Sequence, residues 1–396
     1  MIRVLHLITG LDTGGAERML SELVSGMDRD AFENHVISMT EPGAVGETLR
    51  SLGCAVHGLG FRAGIPNPMG MWRLSGYLRS LRPDVLHTWM YHASLLGTLT
   101  AALTTHTPTA WGIHHADLEP RRTKWLTRLT ARACARLSGR YPARIAYCSE
   151  AGRAFHTGIG YAGARGRVLP NGVDTGHFRP DDDARTWLAG EIGVSAQAPI
   201  ISMVASVRPE KDHPTFIGAA QILHRQRPEV RFLLCGRGAT WDNRQLSGPI
   251  AEAGMTERFH LLGMRKDVNR LMAGSTIVTS SSVSEAFPCV VCEAMACGTV
   301  CVVTDVGDCA DIVGDAGTIV PPGNPQAIAE AWLGILDMGQ EAIASLGLSA
   351  RRRIEESFSL ALAVGRYQEL YRELVAADQP DTSVGFQQAR NAAGAR

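Results

Sequence analysis

Short apolar runs rich in β-branched residues alternate with amphipathic stretches along most of this chain, and that alternation constrains the fold more than any other feature. In the first half the runs fall at 2–9, 33–39, 83–88, 108–113, 144–148 and 166–169; in the second they fall at 199–206, 231–235, 259–262, 276–279 and 299–304. Helical periodicity fills most gaps, for example 15–27, 68–81, 122–139, 212–226, 325–337 and 360–375. Strands joined by helical crossovers pair in parallel. Two consecutive sets therefore predict an α/β protein with two doubly wound, Rossmann-like domains. A length of 396 residues agrees, because it exceeds what one core usually supports. The turn-rich Pro170-Asn171-Gly172-Val173-Asp174 marks the expected hinge, dividing the chain into 1–170 and 171–376, with the last helix packing back on the first domain. Residues 377–396, rich in Gln, Ala, Ser and Gly, are expected to form a disordered tail.

Apolar residues make up 45% and charged residues 20%, as in ordinary soluble globular proteins. The formal charge is zero but unevenly spread. Residues 1–175 carry 19 Lys/Arg against 13 Asp/Glu, and the remainder carries 20 against 26. This asymmetry points to an anionic ligand or surface for the first half; no nucleic-acid partner is expected. No apolar stretch reaches the ~18 residues of a spanning helix. Nine cysteines, and an opening that runs straight into a strand-like stretch, suit a reducing cytoplasm.

Between Glu119 and Glu150 lie eight basic residues and no acidic one: Arg121, Arg122, Lys124, Arg128, Arg132, Arg136, Arg140 and Arg144. From Lys124 to Arg140 they recur every fourth residue, beside Trp125, Leu126, Leu129 and Leu137. A basic amphipathic helix of this kind suits an anionic membrane surface through 121–144, which would make the protein peripheral on the inner face of the cytoplasmic membrane. The alternative is a solvated helix whose apolar side packs on its own domain.

The segment 284–298 holds two carboxylates, Glu285 and Glu293, around Phe287-Pro288 and a helical stretch. Pro288 suits a position near N1, where a missing N–H costs little. A helix N-terminus offers unpaired N–H groups to a phosphate. Glu293, one turn in, is placed to accept from two vicinal hydroxyls, and Glu285 to reach a second polyol. The alternative is a solvated helix with two unrelated carboxylates. Arg208 and Lys211 follow the apolar run 199–206 directly, where two cations suit a diphosphate beyond a strand end; a basic surface turn is the other reading. Gly14 and Gly15 open a helix after the first strand and permit close approach to a phosphate, although a tight turn explains them equally.

His87, His92, His114 and His115 gather near strand ends. A zinc site there lacks supporting carboxylate spacing, so no metal and no other cofactor is expected. Cys289-x-x-Cys292, with Cys297 and Cys301, reads as buried structural thiols. Asp181-Asp182-Asp183 reads as a helix N-cap rather than a metal motif.

Taken in order, these segments resemble the family-4 glycosyltransferases of GT-B fold. The likeness rests on GGAER at 14–18, PNGVD at 170–174, RPEKDH at 208–213, the paired glutamates 285 and 293, EAMACG at 293–298, VVTDVGD at 302–308 and DAGTIVPPGNP at 315–325. It implies two Rossmann-like domains facing a cleft and a retaining transfer from a UDP- or GDP-type sugar to a glycan or lipid-linked acceptor. The implied setting is bacterial exopolysaccharide, capsule or lipopolysaccharide synthesis. The same resemblance implies Arg208 and Lys211 on the diphosphate, Glu293 on the ribose, Glu285 and His114 on the transferred sugar, and Gly15 approaching the phosphate from the first domain. His115 competes with His114 for its role. Two departures stand out: Ala205-Ser206 replaces the family's usual Gly-Arg, and Ala286 replaces a frequent glycine. A sugar-nucleotide epimerase of the same fold and a non-catalytic nucleotide-sugar-binding protein are the rival functions.

Overall fold

The computed structural model describes residues 1–12, 14–61 and 68–378. Two sheets carry the architecture. The first runs β1 (Ile2–Ile8), β2 (Phe32–Ser38), β3 (Ala55–Gly58), β4 (Val85–Trp89), β5 (Thr109–Ile113), β6 (Arg144–Tyr147) and β7 (Gly166–Val168), in spatial order β3-β2-β1-β4-β5-β6-β7. The second holds β8 (Ile200–Val204), β9 (Arg231–Cys235), β10 (Phe259–Leu261), β11 (Ile277–Ser280), β12 (Val300–Thr304) and β13 (Thr318–Val320), in order β10-β9-β8-β11-β12-β13. β1 pairs in parallel with β2 and β4, and β8 with β9 and β11. In each sheet the chain adds strands to one side and then returns to the other. The reversals lie between β1 and β4 and between β8 and β11. At such a reversal neighbouring crossovers diverge, and a crevice opens beyond the carboxyl ends of the strands.

By packing, the described chain divides into two compact units. One holds Met1–Gly112, Leu126–Ala146 and the helix from Gly365 onward; the other holds Ile113–Trp125 and Tyr147–Val364. Pro170 and Asn171 thus lie inside the second unit. There Val173 bridges to Ser359, its N–H donating to Phe358 O at 2.9 Å while Leu360 N–H donates to Val173 O at 2.8 Å. Gly172 is needed at this crossing, since a Cβ would sit 2.6 Å from the Leu360 Cα.

In the first unit, Leu5, Leu7, Ile37, Leu74, Leu78 and Leu86 form part of one apolar cluster. In the second, Phe216, Phe232, Phe259 and Trp332 pack ring against ring. The buried Trp332 indole donates to Thr279 Oγ1 at 2.8 Å, so its polar edge is satisfied. The last helix spans Leu360–Asp378, so Ala377 and Asp378 end a helix; the rest of the expected tail lies outside the described residues. Among the described residues no helix is long and apolar enough to cross a membrane.

Candidate functional site

The crevice at the second reversal is built by the loops leaving β8 and β11, and both carry expected site residues. After β8 the chain makes a one-turn 3-10 helix, Pro209–Lys211, and then Asp212 turns left-handed at φ 49°. Aspartate tolerates that conformation. Its carboxylate also caps the next helix, His213–His224, accepting from Thr215 N–H at 3.3 Å and Thr215 Oγ1 at 2.6 Å. The turn fixes Lys211, whose ammonium donates to Glu285 Oε1 on the loop after β11.

That second loop is fastened along its length. Ser281 Oγ donates to Lys211 O and Asp212 O, each at 3.0 Å, and Val283 N–H donates to Glu210 O at 2.9 Å. Thr304 Oγ1 donates to Ser282 O at 2.5 Å, and Ser282 Oγ donates to Glu285 Oε1 at 2.7 Å. Glu285, with only 10% of its side chain exposed, therefore sits in a fixed position with a cation on one side and a hydroxyl on the other. Gly307 packs on the Glu285 carbonyl at φ 57°, a position where a side chain would be both strained and crowded.

Beyond Glu285, Phe287 is buried and Pro288 precedes the helix Cys289–Ala296. Pro288 occupies the N-cap position, one residue before the N1 place expected from sequence, with φ −78° and ψ 86°. Cys289 is thus the first helical residue, and Glu293, 5% exposed, stands one turn further on. The segment is therefore not a solvent-exposed helix. Cys292, Cys297 and Cys301 pack into the apolar cluster beneath, and loss of hydration pushes all three thiols up.

Arg208 differs from Lys211. Its side chain is 58% exposed, and its nearest acidic partner, Glu210, is 3.8 Å away. It is the outward member of the pair.

The loop after β5 brings the histidines into the same unit. His114 keeps some surface but is crowded by protein; loss of hydration, then its neighbour His115, lowers its pKa to about 3. At neutral pH it is an uncharged imidazole with both ring nitrogens shielded from solvent, and it does not deliver a proton as an acid. His115 is also lowered by loss of hydration, while Asp117 and Glu210 pull it back up. His87 and His92 are not part of this group. His87 lies in a buried aromatic cluster, its Nδ1 2.7 Å from Tyr371 Oη, and His92 contacts Thr127 and Thr130 on the helix Trp125–Leu137.

Gly14 and Gly15 lie in the first unit. Gly14 caps the helix Gly15–Gly26, and a Cβ there would meet the Glu17 carboxylate, whereas one on Gly15 would meet nothing within 4 Å. Asp183 takes the N-cap position of the helix Ala184–Glu191, but its side chain makes no capping bond. Asp181 instead accepts from Asp183 N–H at 3.0 Å and from Arg270 at 3.2 Å. Among the described residues no three His, Cys, Asp or Glu side chains are grouped to hold a metal ion.

The basic helix Trp125–Leu137 buries Thr130, Ala131, Cys134 and Ala135. Trp125 and Leu129 point outward, 68% and 52% exposed, with Arg132 and Arg136 exposed on the same helix. The helix therefore leaves apolar surface outside, which differs from an apolar side packed wholly inward. Arg122 is drawn to Asp117 at 3.2 Å, so it is not wholly a surface charge.

Sequence reasoning passed over Asp117, Ser282, Ser284 and Asp308. Asp117 accepts from Ser284 Oγ, and Asp308 accepts from Glu150 N–H at 2.8 Å and Ala151 N–H at 2.9 Å. The segments WGIHHAD at 111–117 and VVTDVGD at 302–308 contain the two aspartates, but nothing local discloses partners so distant in sequence.

Comparison with known proteins places the family and the fold. Residues 13–177 match the family described as Glycosyltransferase Family 4, and residues 198–338 match Glycosyl transferases group 1. EpsF of Bacillus subtilis (strain 168) is 25% identical over 76% of this chain and 79% of its own. An Escherichia coli UDP-Gal:alpha-D-GlcNAc-diphosphoundecaprenol alpha-1,3-galactosyltransferase is 21% identical over 75% and 77%. Among solved structures, Anabaena HepE in complex with UDP superposes with a TM-score of 0.83 at 21% identity, covering 94% of this chain and 100% of that one. WaaG, a glycosyltransferase involved in lipopolysaccharide biosynthesis, gives 0.69 at 16% identity, covering 93% and 99%. These structural likenesses show the fold, which is GT-B.

Proposed function

Because the chain belongs to glycosyltransferase family 4, we propose that it transfers a hexose from a nucleoside-diphosphate sugar to a glycan or lipid-linked acceptor, with retention of anomeric configuration. The observation that carries this reading is the Lys211–Glu285 pair at the β8/β11 reversal, next to the N-terminus of the helix that bears Glu293. The helix N-terminus and Lys211 would receive the diphosphate, with Arg208 closing on it from solvent. Glu293 would accept from the ribose hydroxyls. Glu285 and the neutral His114 would hold the transferred sugar.

In the reaction the bond from the sugar's anomeric carbon to the phosphate oxygen breaks, and the acceptor oxygen bonds that carbon on the same face. The acceptor proton passes to the departing phosphate oxygen, leaving a nucleoside diphosphate and a new glycoside. Charge grows on the leaving phosphate, so preorganised cations and N–H groups there lower the barrier. Side-chain and backbone charge of this kind does the work without a divalent ion, and activity should persist in EDTA. The E. coli relative's name supports a UDP-sugar and a lipid-linked acceptor. The outward Trp125 and Leu129, with Arg132 and Arg136, support docking on an anionic lipid surface.

The purified protein, incubated with a panel of labelled UDP- and GDP-sugars and an acceptor, should release nucleoside diphosphate. An epimerised donor would instead favour an epimerase, and a bound but unchanged donor would favour a binding protein.

A further inference from the structure

The contact between Asp117 and Ser284 joins segments 167 residues apart and lies beside two of the groups named above. One carboxylate oxygen of Asp117 closes its own turn, accepting from Glu119 N–H at 3.1 Å. The other accepts from Ser284 Oγ and from Arg122 Nη2 at 3.2 Å. Burial opposes the charge on Asp117, but the bonds from Ser284 and Glu119, with Arg122, outweigh it and hold the carboxyl below its usual range. It is ionised at neutral pH and accepts strongly.

Ser284 adjoins Glu285, and Asp117 lies three residues after His114. The contact is one link of a closed ring. A Cβ on Gly152 would lie 3.0 Å from His115 O, so the first turn of the helix Glu150–Gly158 packs on the histidine loop. Asp308 caps that turn through Glu150 and Ala151, and its own N–H donates to Ala286 O at 3.2 Å. The ring thus runs from the histidine loop through Gly152, Asp308, Ala286 and Ser284 back to Asp117. Each link of such a ring limits how far the loop can shift.

We propose that Asp117 is a positioning residue that, through Ser284, holds the histidine loop against the loop carrying Glu285, so that His114 and Glu285 grip the same sugar in one geometry. The inference rests on the donor-site reading above. Asp117 touches neither donor nor acceptor, and its effect falls on the reacting sugar rather than on the nucleotide. Small displacements of reacting groups cost up to about a hundredfold in rate.

The test uses the full chain with Asp117→Asn, Ser284→Ala, both together, and Ser284→Thr. Titration with UDP or GDP gives nucleotide Kd, and turnover of the active donor gives kcat and KM. Each single variant should keep the nucleotide Kd within about twofold and lose kcat about ten- to a hundredfold. The double variant should be no worse than the poorer single, because the same charge-assisted contact is weakened or lost in all three. Ser284→Thr, which keeps the hydroxyl, should recover most of the rate. Wild-type kcat in Ser284→Ala overturns the proposal, and decides the matter even if Asp117→Asn does not fold; multiplying losses in the double variant overturn it too. Wild-type protein that binds neither nucleotide overturns the donor-site reading and this inference with it. A site that Glu293→Ala empties, together with full kcat in Ser284→Ala, overturns this inference alone.

Discussion

The Lys211 ammonium and the Glu285 carboxylate, 74 residues apart and from strands on either side of a sheet reversal, meet as an ion pair with most of both side chains shielded. Truncating one partner strands the other charge, which costs more than the pair itself is worth. Lys211→Ala should therefore lose kcat by about a hundredfold or more, and adding Glu285→Gln should cost much less than its effect in wild type. Steady-state kinetics on the four proteins of the cycle check this; strictly multiplying losses would show that the two side chains act separately.

Glu293 is buried one turn into its helix, where a carboxylate is costly to hold unless it is hydrogen-bonded or paired. Glu293→Ala should weaken nucleotide binding by about 1.5–3 kcal/mol, the worth of hydrogen bonds to a charged group. Calorimetric titration of the folded variant measures it, and an unchanged Kd would move the ribose elsewhere.

Much of this site could be read from the sequence because its groups sit close together along the chain. Arg208 and Lys211 follow an apolar run, and Glu285 to Glu293 fit within one loop and one helix. The crossings could not be read. Lys211 with Glu285, Asp117 with Ser284 and Asp308 with the Glu150 helix are tertiary pairings without local signature. Two strands also went unread, β3 with four residues and β13 with three, each burying a single side chain.

Three deeply buried histidines make the fold sensitive to acid. His6, His156 and His213 are at most 2% exposed, and loss of hydration holds each near pKa 4, against partial compensation by hydrogen bonds at His6 and His156. The unfolded chain takes up these protons near 6.5, while the fold refuses them until about 4. Their contribution is therefore complete above pH 6.5 and is lost as pH falls towards 4, by up to about 1.4 kcal/mol per histidine per unit. Tm should drop between pH 7.5 and 5.5, with protons absorbed on unfolding. A Tm that rises over that interval would contradict the assignment.

The helix Trp125–Leu137 should bring the protein to vesicles containing anionic lipid at low salt and release it at high salt, where the attraction is screened. Arg132→Glu with Arg136→Glu should remove about 1 kcal/mol or more per position while donor affinity stays unchanged. Co-sedimentation measures both; wild-type protein that stays in the supernatant at low salt points to a water-soluble acceptor.

Cys148, Cys292, Cys297, Cys301 and Cys309 share one apolar cluster, and burial lifts every one of these thiols well above its ordinary range. A protonated sulfur sealed from water is a poor nucleophile, so an alkylating reagent reaches these five only when the surrounding core opens. The rate at which they are labelled in native buffer then times those openings. A bound nucleotide that slows the labelling would report, sulfur by sulfur, which parts of the domain it holds shut.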